Sequence, residues 1–287
     1  MTKTRVITDS VACIPATLVE ELAIHVIPVR LTVGGALYQD IDEELAGEQI
    51  RRLQEADSID TTPWSPEHYC EHYLEAAEEG NALVHVVAFS SFTSTMSLAR
   101  AGATMASERR PGLVVEVVDS GSTLMAQGFV ALAAARAAKE NAALEEVVSI
   151  AARTREAVRM VTSLSSLRYV ARTGRVPRLA SWANTLLNVK PIVGLSQGRE
   201  EPLGLVRSRS QEIRALLQKV RELSDTDGYL HLAVMDTARW QDGDELLVRL
   251  RNELSPVESF HAQVSPVSQV VSGPGILGVA FYSDPVR

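Results

Sequence analysis

The chain of 287 residues carries 28 Lys and Arg against 36 Asp and Glu, a net charge of −8, and 46% of its residues are apolar. This composition is typical of a globular protein with one large domain or two small ones, and its acidic balance argues against a general nucleic-acid binder. No segment approaches the ~18 consecutive apolar residues of a transmembrane helix, and the first residues do not resemble a signal peptide. The two cysteines, Cys13 and Cys70, make no disulfide framework. We therefore expect a cytoplasmic protein with no membrane insertion.

The first half of the chain alternates short apolar runs with segments of helical periodicity. The predicted strands are 5–8, 26–31, 83–89 and 114–118, and the predicted helices are 15–22, 41–56, 67–79, 95–108, 123–140 and 144–157. Strands separated by helices of this length are joined by right-handed crossovers. The first half is therefore predicted to be an α/β domain with a parallel sheet.

The second half has a different spacing. Its predicted strands are 158–162, 191–195, 203–206, 230–235, 260–264 and 276–281, and they surround two helices. This pattern favours a mixed sheet of the α+β type. We expect two domains, residues 1–160 and 161–287.

Small polar residues follow three of the predicted strands. Thr8-Asp9-Ser10 ends the first strand, Ser90-Ser91 follows the third and leads to Thr93-Ser94-Thr95, and Asp119-Ser120 ends the fourth. Ligands of open parallel sheets bind at the carboxyl ends of strands, and helix N-termini favour anions. The same residue types are also the preferred helix N-caps. The pattern therefore indicates either an anion site at this sheet edge or three ordinary caps.

Two motif matches do not fit their usual context. Residues 273–278 spell G-x-G-x-x-G, but a strand-like segment follows them where a dinucleotide site needs a helix. Residues 68–72 spell H-x-x-E-H, a zinc-peptidase pattern with His68 and His72 on one helix face. A catalytic zinc needs a third protein ligand. We interpret this segment as an exposed acidic helix with two surface histidines, and we expect no metal site.

Eight segments in chain order resemble those of the DegV family of bacterial fatty-acid-binding proteins. They are Val6–Ser10, Thr61–Pro66, Ser90–Met96, Val117–Gly128, Leu167–Val176, Leu187–Ile192, Val206–Arg209 and Gly273–Gly278. No single segment is specific, but their order along the whole chain is. The resemblance implies two α/β domains that enclose a long-chain fatty acid between them.

The resemblance also implies the residues of the site. The fatty-acid carboxylate is expected to be bound by hydroxyl groups of Thr61, Thr62 and Ser91 or Ser94. Further candidates for lining the pocket are Asp9, Ser10, Ser120, Gly273 and Gly275. No cofactor and no catalytic residue are expected. On this interpretation the protein presents its fatty acid to a separate ATP-dependent kinase subunit, which forms an acyl phosphate.

A basic segment is the candidate surface for docking that kinase. Residues 168–209 contain eight Lys and Arg against two Glu, and Arg175 and Arg207 lie within the segments that resemble the family. Guanidinium groups bind carboxylates and phosphates in a bidentate manner. The alternative interpretation of such a run is a solvated face.

The chain departs from the family's pattern where the family usually has histidine. Val271 stands two residues before Gly273, and Asp236 follows a predicted strand; Thr173 replaces one glycine of the basic loop. A missing imidazole affects the expected kinase partnership more than lipid binding. The alternatives are a carrier of another lipophilic carboxylate without a kinase, a stand-alone lipid hydrolase, or a zinc peptidase.

Overall fold

The computed structural model describes residues 3–77, 82–173, 189–225, 228–237 and 240–285, and elements are numbered within those ranges. The described strands form a four-stranded sheet, a six-stranded sheet and a two-stranded hairpin. Within these ranges, no helix combines the length and the apolar composition that a membrane span requires.

The four-stranded sheet is parallel throughout, as predicted for the first half of the chain. Its order is β2-β1-β5-β6, and the central β5 is buried at every position because its sequence is almost entirely apolar. The elements of this half are β1 (Thr4–Asp9), α1 (Ala16–Glu21), β2 (His25–Ile27), β3 (Arg30–Val33), β4 (Ala36–Gln39), α2 (Gly47–Gln54), α3 (Pro66–Ala76), β5 (Ala82–Val87), α4 (Thr95–Arg109), β6 (Val114–Asp119), α5 (Leu124–Lys139) and α6 (Leu144–Ala157).

The six-stranded sheet is mixed, which confirms the predicted fold class. Its order is β11-β10-β12-β7-β8-β9, and only the β10–β11 pair is parallel. Its elements are β7 (Arg159–Ser163), α7 (Arg168–Ala171), β8 (Lys190–Ser196), β9 (Arg199–Val206), α8 (Arg209–Leu223), β10 (Gly228–Asp236), α9 (Trp240–Leu254), β11 (Glu258–Gln263), α10 (Pro266–Ser272) and β12 (Leu277–Pro285).

The alanine-rich α5 joins the two sheets. It contacts both β1 of the parallel sheet and β12 of the mixed sheet, and its small side chains allow this close packing on nearly all sides. Phe129 at its centre is fully buried and packs edge-on against Tyr282 at 5.2 Å between ring centroids. The division into domains at residue 160 stays a prediction, although β7, the first strand of the mixed sheet, begins at Arg159.

The predicted strand 26–31 is wrong, because the chain forms two strands there that belong to different sheets. β2 pairs with β1 as far as Ile27, and Pro28 then removes a backbone donor. The chain continues as β3, which pairs with β4 across Gly34 and Gly35. Both glycines have a positive φ, 58° and 83°, as a two-residue turn requires.

The predicted helix 41–56 is too long, since only Gly47–Gln54 is helical. The carboxylate of Asp42 accepts a hydrogen bond from the amide of Gln39 at 2.6 Å, which holds the preceding residues in a turn. The helix α2 packs Ile50 and Leu53 against Val267 and Val270 of α10, a short helix that the sequence analysis missed.

Candidate functional site

A cavity of about 210 Å³ lies between the two sheets. On one side it is bounded by Asp9 at the end of β1 and by Ala88 just after β5. On the other side it is bounded by residues of β7 and β8, among them Met160 and Val193. The cavity thus lies at the carboxyl ends of the parallel strands, where open α/β sheets bind their ligands.

Most of the wall that the second half of the chain contributes is apolar. This wall consists of Met160, Leu164, Val170, Val193, Leu195, Val267, Val271 and Ile276, interrupted by Thr162, Thr173, Glu200, Ser268 and Ser272. The hydroxyl of Thr162 is buried and makes no hydrogen bond with the described residues. One water-sized group needs roughly 10–15 Å³ of cavity volume. The cavity of about 210 Å³ therefore has room for on the order of fifteen such groups.

The wall from the first half of the chain carries most of the polar groups. They are Asp9, Arg30, Thr61, Thr62, Tyr69, Thr93, Thr95 and Thr123, and the apolar Val11, Val29, Pro63, Trp64, Ala88, Phe92 and Leu124 lie between them. Burial, with the nearby Asp9 as a smaller cause, raises the pKa of the Tyr69 phenol, so that it stays a neutral hydroxyl.

Arg30 is the cation of this wall. Its Nε donates to the carbonyl of Thr62 at 2.8 Å and its Nη2 to the carbonyl of Pro63 at 3.2 Å, while its guanidinium carbon lies 4.8 Å from the centroid of the Trp64 ring. These contacts hold the segment that carries Thr61 and Thr62 and leave Nη1 without a hydrogen bond to the described residues. The sequence analysis missed Arg30, because no motif marked it.

The hydroxyl groups of the site differ in how they are bonded. The Thr62 hydroxyl donates to the Asp60 carboxylate at 2.6 Å, so its proton must turn away from Asp60 before it can bind an anion. The hydroxyls of Thr93 and Thr95 are 2.8 Å apart, and only one of them can donate to the other. The Thr95 hydroxyl also hydrogen-bonds to the Tyr69 phenol, so a ligand that binds here competes with contacts within the wall.

Asp9 is fixed by a buried network. Its Oδ2 accepts from the amide of Ala88 and from Nε2 of Gln127, each at 3.3 Å, and its Oδ1 lies 3.6 Å from Nε2 of His85. The other ring nitrogen of His85 lies 2.7 Å from the hydroxyl of Tyr73. Asp9 therefore forms part of the supporting structure at this edge of the cavity.

The structure brings together only some of the predicted site residues. Thr61, Thr62 and Asp9 line the cavity, whereas Ser91 and Ser94 are exposed and do not. Thr93 and Thr95 line it instead. Residues 93–95 all carry hydroxyl groups, so the sequence marks this segment without showing which of its side chains face the cavity.

The other candidates for lining the pocket do not line this cavity. The Ser10 hydroxyl donates to the Asp40 carboxylate at 2.5 Å, and the buried Ser120 hydroxyl donates to the carbonyl of Ser122 at 3.0 Å. Gly273 caps α10 and Gly275 follows it, and the residues on either side, Ser272 and Ile276, reach the cavity.

The two positions where histidine was expected differ in location. Val271 lines the cavity, whereas Asp236 is buried elsewhere with its Oδ2 2.7 Å from Nε2 of His261. Of the predicted docking residues, Arg207 is exposed, and Arg175 lies outside the described residues.

The two rejected motifs have structural roles. Gly278 lies in β12, so the segment 273–278 leads into a strand. The helix α3 that carries His68 and His72 is not the exposed helix that we expected: its Tyr69 and Tyr73 are buried, and the two histidines are half-buried.

Comparison with known proteins identifies the chain's relatives. A family model described as "Uncharacterised protein, DegV family" matches residues 3–284. A DegV domain-containing protein of Streptomyces coelicolor is 29% identical over 280 residues, which are 97% of this chain and 98% of that protein. Another, from Caldanaerobacter subterraneus subsp. tengcongensis, is 27% identical over 281 residues, which are 98% of this chain and 99% of that protein.

A solved structure agrees with these sequence matches. A DegV family protein from Thermus thermophilus, described as fatty-acid binding, superposes with a TM-score of 0.87 at 25% identity and covers 99% of this chain and 100% of its own. The family match and the shared fold both extend over nearly the entire sequence. The chain is therefore a member of the DegV family.

Proposed function

We propose that this protein binds a long-chain fatty acid in the cavity between its two sheets. The observation that carries the proposal is the contrast between the apolar wall around Leu164, Val193 and Ile276 and the hydroxyl and guanidinium groups opposite it. Each buried methylene contributes ~0.8 kcal/mol, so that a sixteen-carbon chain offers on the order of 10 kcal/mol before the costs of ordering it. The fatty-acid binding described for the Thermus thermophilus relative supports the same ligand class.

We propose that the carboxylate is bound at the polar wall by Thr61 and Thr62. From the hydroxyl-rich segment that follows β5, Thr93 and Thr95 are better placed than the initially expected Ser91 and Ser94, since only the threonines line the cavity. Arg30 supplies the positive charge from Nη1. Charge-assisted hydrogen bonds of this kind are about twice as strong as neutral ones.

We further propose that the bound carboxylate is presented to an ATP-dependent fatty acid kinase, and that this chain performs no catalysis. The polar wall supports this role because it reaches the surface: Thr62 is exposed and Arg30 is only half-buried. Such a kinase places the protein in the cytoplasm, where the free thiols of Cys13 and Cys70 are stable. Arg207 and Arg175 remain the proposed docking residues.

The ligand is tested by extracting purified, denatured protein with organic solvent and identifying the extract by mass spectrometry. We expect about one acyl chain per protein, with its carboxylate free. Another lipophilic carboxylate in the extract would replace the fatty acid as the ligand. The proposal fails if the extract holds no acyl species and the protein binds neither added palmitate nor oleate.

Two tryptophan substitutions give this experiment a matched pair. Val193→Trp fills the cavity from β8, whereas Val248→Trp lies on the exposed face of α9. We expect the first variant to lose the acyl species and the second to retain it. Equal retention by both variants would place the ligand outside this cavity.

A further inference from the structure

Three potential metal ligands meet beside the edge strand of the parallel sheet, away from the cavity lining. Nε2 of His25 lies 3.0 Å from Nδ1 of His72, and Oε2 of Glu75 lies 3.8 Å from the same Nδ1. All three ligand atoms lie within 4.8 Å of one another. Two of the residues are on α3 and the third is on β2, so only the tertiary structure brings them together.

The fold holds the two elements in this arrangement. His25 is two residues from Ile27, which packs in the same buried cluster as Tyr69 and Tyr73 of α3. Arg5 of β1 donates from Nε to the carbonyl of Ala23 at 3.3 Å and from Nη1 to the carbonyl of Ala76 at 3.2 Å. One guanidinium thus ties the segment before β2 to the end of α3, and it fixes both ligand-bearing elements.

The donor set and its spacing fit a borderline divalent metal. Two imidazole nitrogens and one carboxylate oxygen are a known combination for zinc, which leaves a fourth position for water. With zinc–nitrogen and zinc–oxygen bonds of about 2.0–2.1 Å, tetrahedral ligands are about 3.3–3.4 Å apart. Two of the three separations, 3.0 and 3.8 Å, bracket that value, and the third is within 4.8 Å. We propose that His25, His72 and Glu75 bind a zinc ion that cross-links β2 to α3.

The protonation of the two imidazoles suits this role. Burial, reinforced by His72, lowers the pKa of His25 to about 4, and burial also lowers the pKa of His72. Both rings are therefore neutral at neutral pH. Without metal, one ring donates its proton to the other across the 3.0 Å contact. With metal bound, each ring keeps one proton on the nitrogen that faces away, and no proton is released.

The site is not the one that the H-x-x-E-H motif suggests. His68 lies one turn before His72 on α3, but its ring stacks on Trp64, with 4.1 Å between centroids and 20° between planes. The motif's glutamate, Glu71, does not belong to the group of candidate ligands either, and Glu75 takes its place. His68 therefore serves as the control: it is a half-buried histidine on the same helix that touches His72 edge-on, with 4.7 Å between ring centroids, but is not among the candidate ligands.

The experiment uses full-length protein without a histidine tag, stripped with a chelator and titrated with Zn²⁺ by calorimetry. We expect one saturable site in the wild type. His25→Ala and His72→Ala should each weaken Zn²⁺ binding by at least the roughly 10–100-fold that loss of an outer partner costs a metal site. His68→Ala should bind like the wild type. Mg²⁺, which prefers oxygen ligands, should not compete.

Two further measurements separate loss of the site from loss of folding. Co²⁺ added to the wild type should give the visible absorption of a cobalt ion with nitrogen ligands, and His25→Ala should abolish this absorption while its circular dichroism stays native. Zn²⁺ should raise the melting temperature of the wild type but not that of His25→Ala. The proposal is overturned if the wild type binds no stoichiometric Zn²⁺, or if His68→Ala weakens binding as much as His25→Ala. Fatty-acid binding is a separate measurement on the same samples.

Discussion

Arg30 brings a positive charge to a cavity whose other lining side chains are apolar, hydroxylic or, at Asp9 and Glu200, acidic. It holds the segment of Thr61 and Thr62 through the carbonyls of Thr62 and Pro63, and it is the proposed partner of the ligand's carboxylate. Val271 lines the same cavity where the family resemblance placed a histidine. Arg30 and Val271 therefore line the same cavity from different halves of the chain.

The first prediction follows from this charge. Arg30→Gln should weaken fatty-acid binding by about 1.5–3 kcal/mol, the contribution of a hydrogen bond to a charged group, or roughly ten- to a hundredfold. Binding of the fatty alcohol of equal chain length should change much less. Calorimetry with both ligands measures the difference.

The matched control is Arg51→Gln, which removes an exposed guanidinium of α2 that pairs with Glu48. It should bind both ligands like the wild type. Unchanged binding of the acid by Arg30→Gln would place the carboxylate elsewhere, and equal losses for acid and alcohol would reduce Arg30 to a structural role.

The second prediction concerns Gly273, whose φ of 82° and ψ of 178° lie in a region that is almost restricted to glycine. A Cβ at this position would also collide with the ring of Tyr169. Gly273→Ala should therefore lower the free energy of unfolding by about 2–4 kcal/mol. Urea unfolding measures the change.

Gly275 provides the comparison. Its φ is 74°, but the atom nearest to an added Cβ is Cβ of Ser165 at 3.7 Å. Gly275→Ala should lower the free energy of unfolding by about 1–2 kcal/mol, because it adds backbone strain but no clash. If both variants lose the same stability, contact with Tyr169 contributes nothing at Gly273.

At the scale of elements, the histidines between β2 and α3 make the stability of their packing depend on pH. The pKa of His25 is 6.5 when unfolded and about 4 when folded, chiefly because of burial. Between pH 4 and 6.5 the unfolded chain therefore binds more protons than the folded chain. The contribution of His25 to the free energy of unfolding is highest above pH 6.5 and decreases as the pH falls toward 4. The titratable and charged groups that face His25 are His72, Glu75, Arg5 and His85.

The third prediction tests this dependence in the presence of a chelator. Between pH 7 and 4.5 the wild type should lose about 1 kcal/mol more stability than His25→Gln, after allowance for the solvent that screens a half-exposed group. Urea unfolding at both pH values measures the difference. Arg199→Gln, an exposed change without a titrating group in this range, should follow the wild type. Parallel losses in wild type and His25→Gln would refute the assignment.

Helices and strands with a strong local sequence pattern were predicted well. Elements whose formation depends on packing against another element were not. β5 and α5 have apolar runs of characteristic length, and both agree with prediction within two residues. The β3–β4 hairpin was missed although Gly34-Gly35 signals it, because Val26–Leu31 reads as one apolar run. The short α10 was missed because its apolar face is defined by contact with α2.

At the scale of the whole molecule, several basic side chains of the segment 168–209 are paired with acidic residues of other segments. Arg168 pairs with Glu55, Lys190 with Glu212, and Arg209 with Asp242 and Glu245. All four acids lie outside the segment, so the fold neutralises much of its positive charge. Arg207 is exposed and makes no ion pair with the described residues, so it is the better docking candidate.

The fourth prediction is that Arg207→Ala retains its fatty acid but transfers it to the cognate kinase more slowly, by roughly a few-fold at low salt, because rim charges act mainly on association rate. Wild-type transfer should slow as salt rises. Lys139→Ala, which removes an exposed charge paired with Glu21, is the control and should transfer normally. Loss of lipid by Arg207→Ala, or transfer at the wild-type rate, would contradict the docking role.

The same test of lipid retention on Arg175→Ala decides whether that residue binds the ligand in the cavity or contacts the partner.

The sequence by itself determined the parallel and mixed sheets, the position of the polar strand ends and the family, because apolar periodicity and the order of motifs are visible in the chain without its tertiary contacts. Only the tertiary structure decided which side chains face the cavity. Ser94 and Thr95 are neighbours in sequence, yet the first is exposed and the second lines the wall. Arg30 meets Thr62 across 32 residues, and His25 meets His72 across 47. Such contacts depend on the direction in which each element presents its side chains. Packing between elements fixes that direction, so no local sequence pattern predicts it.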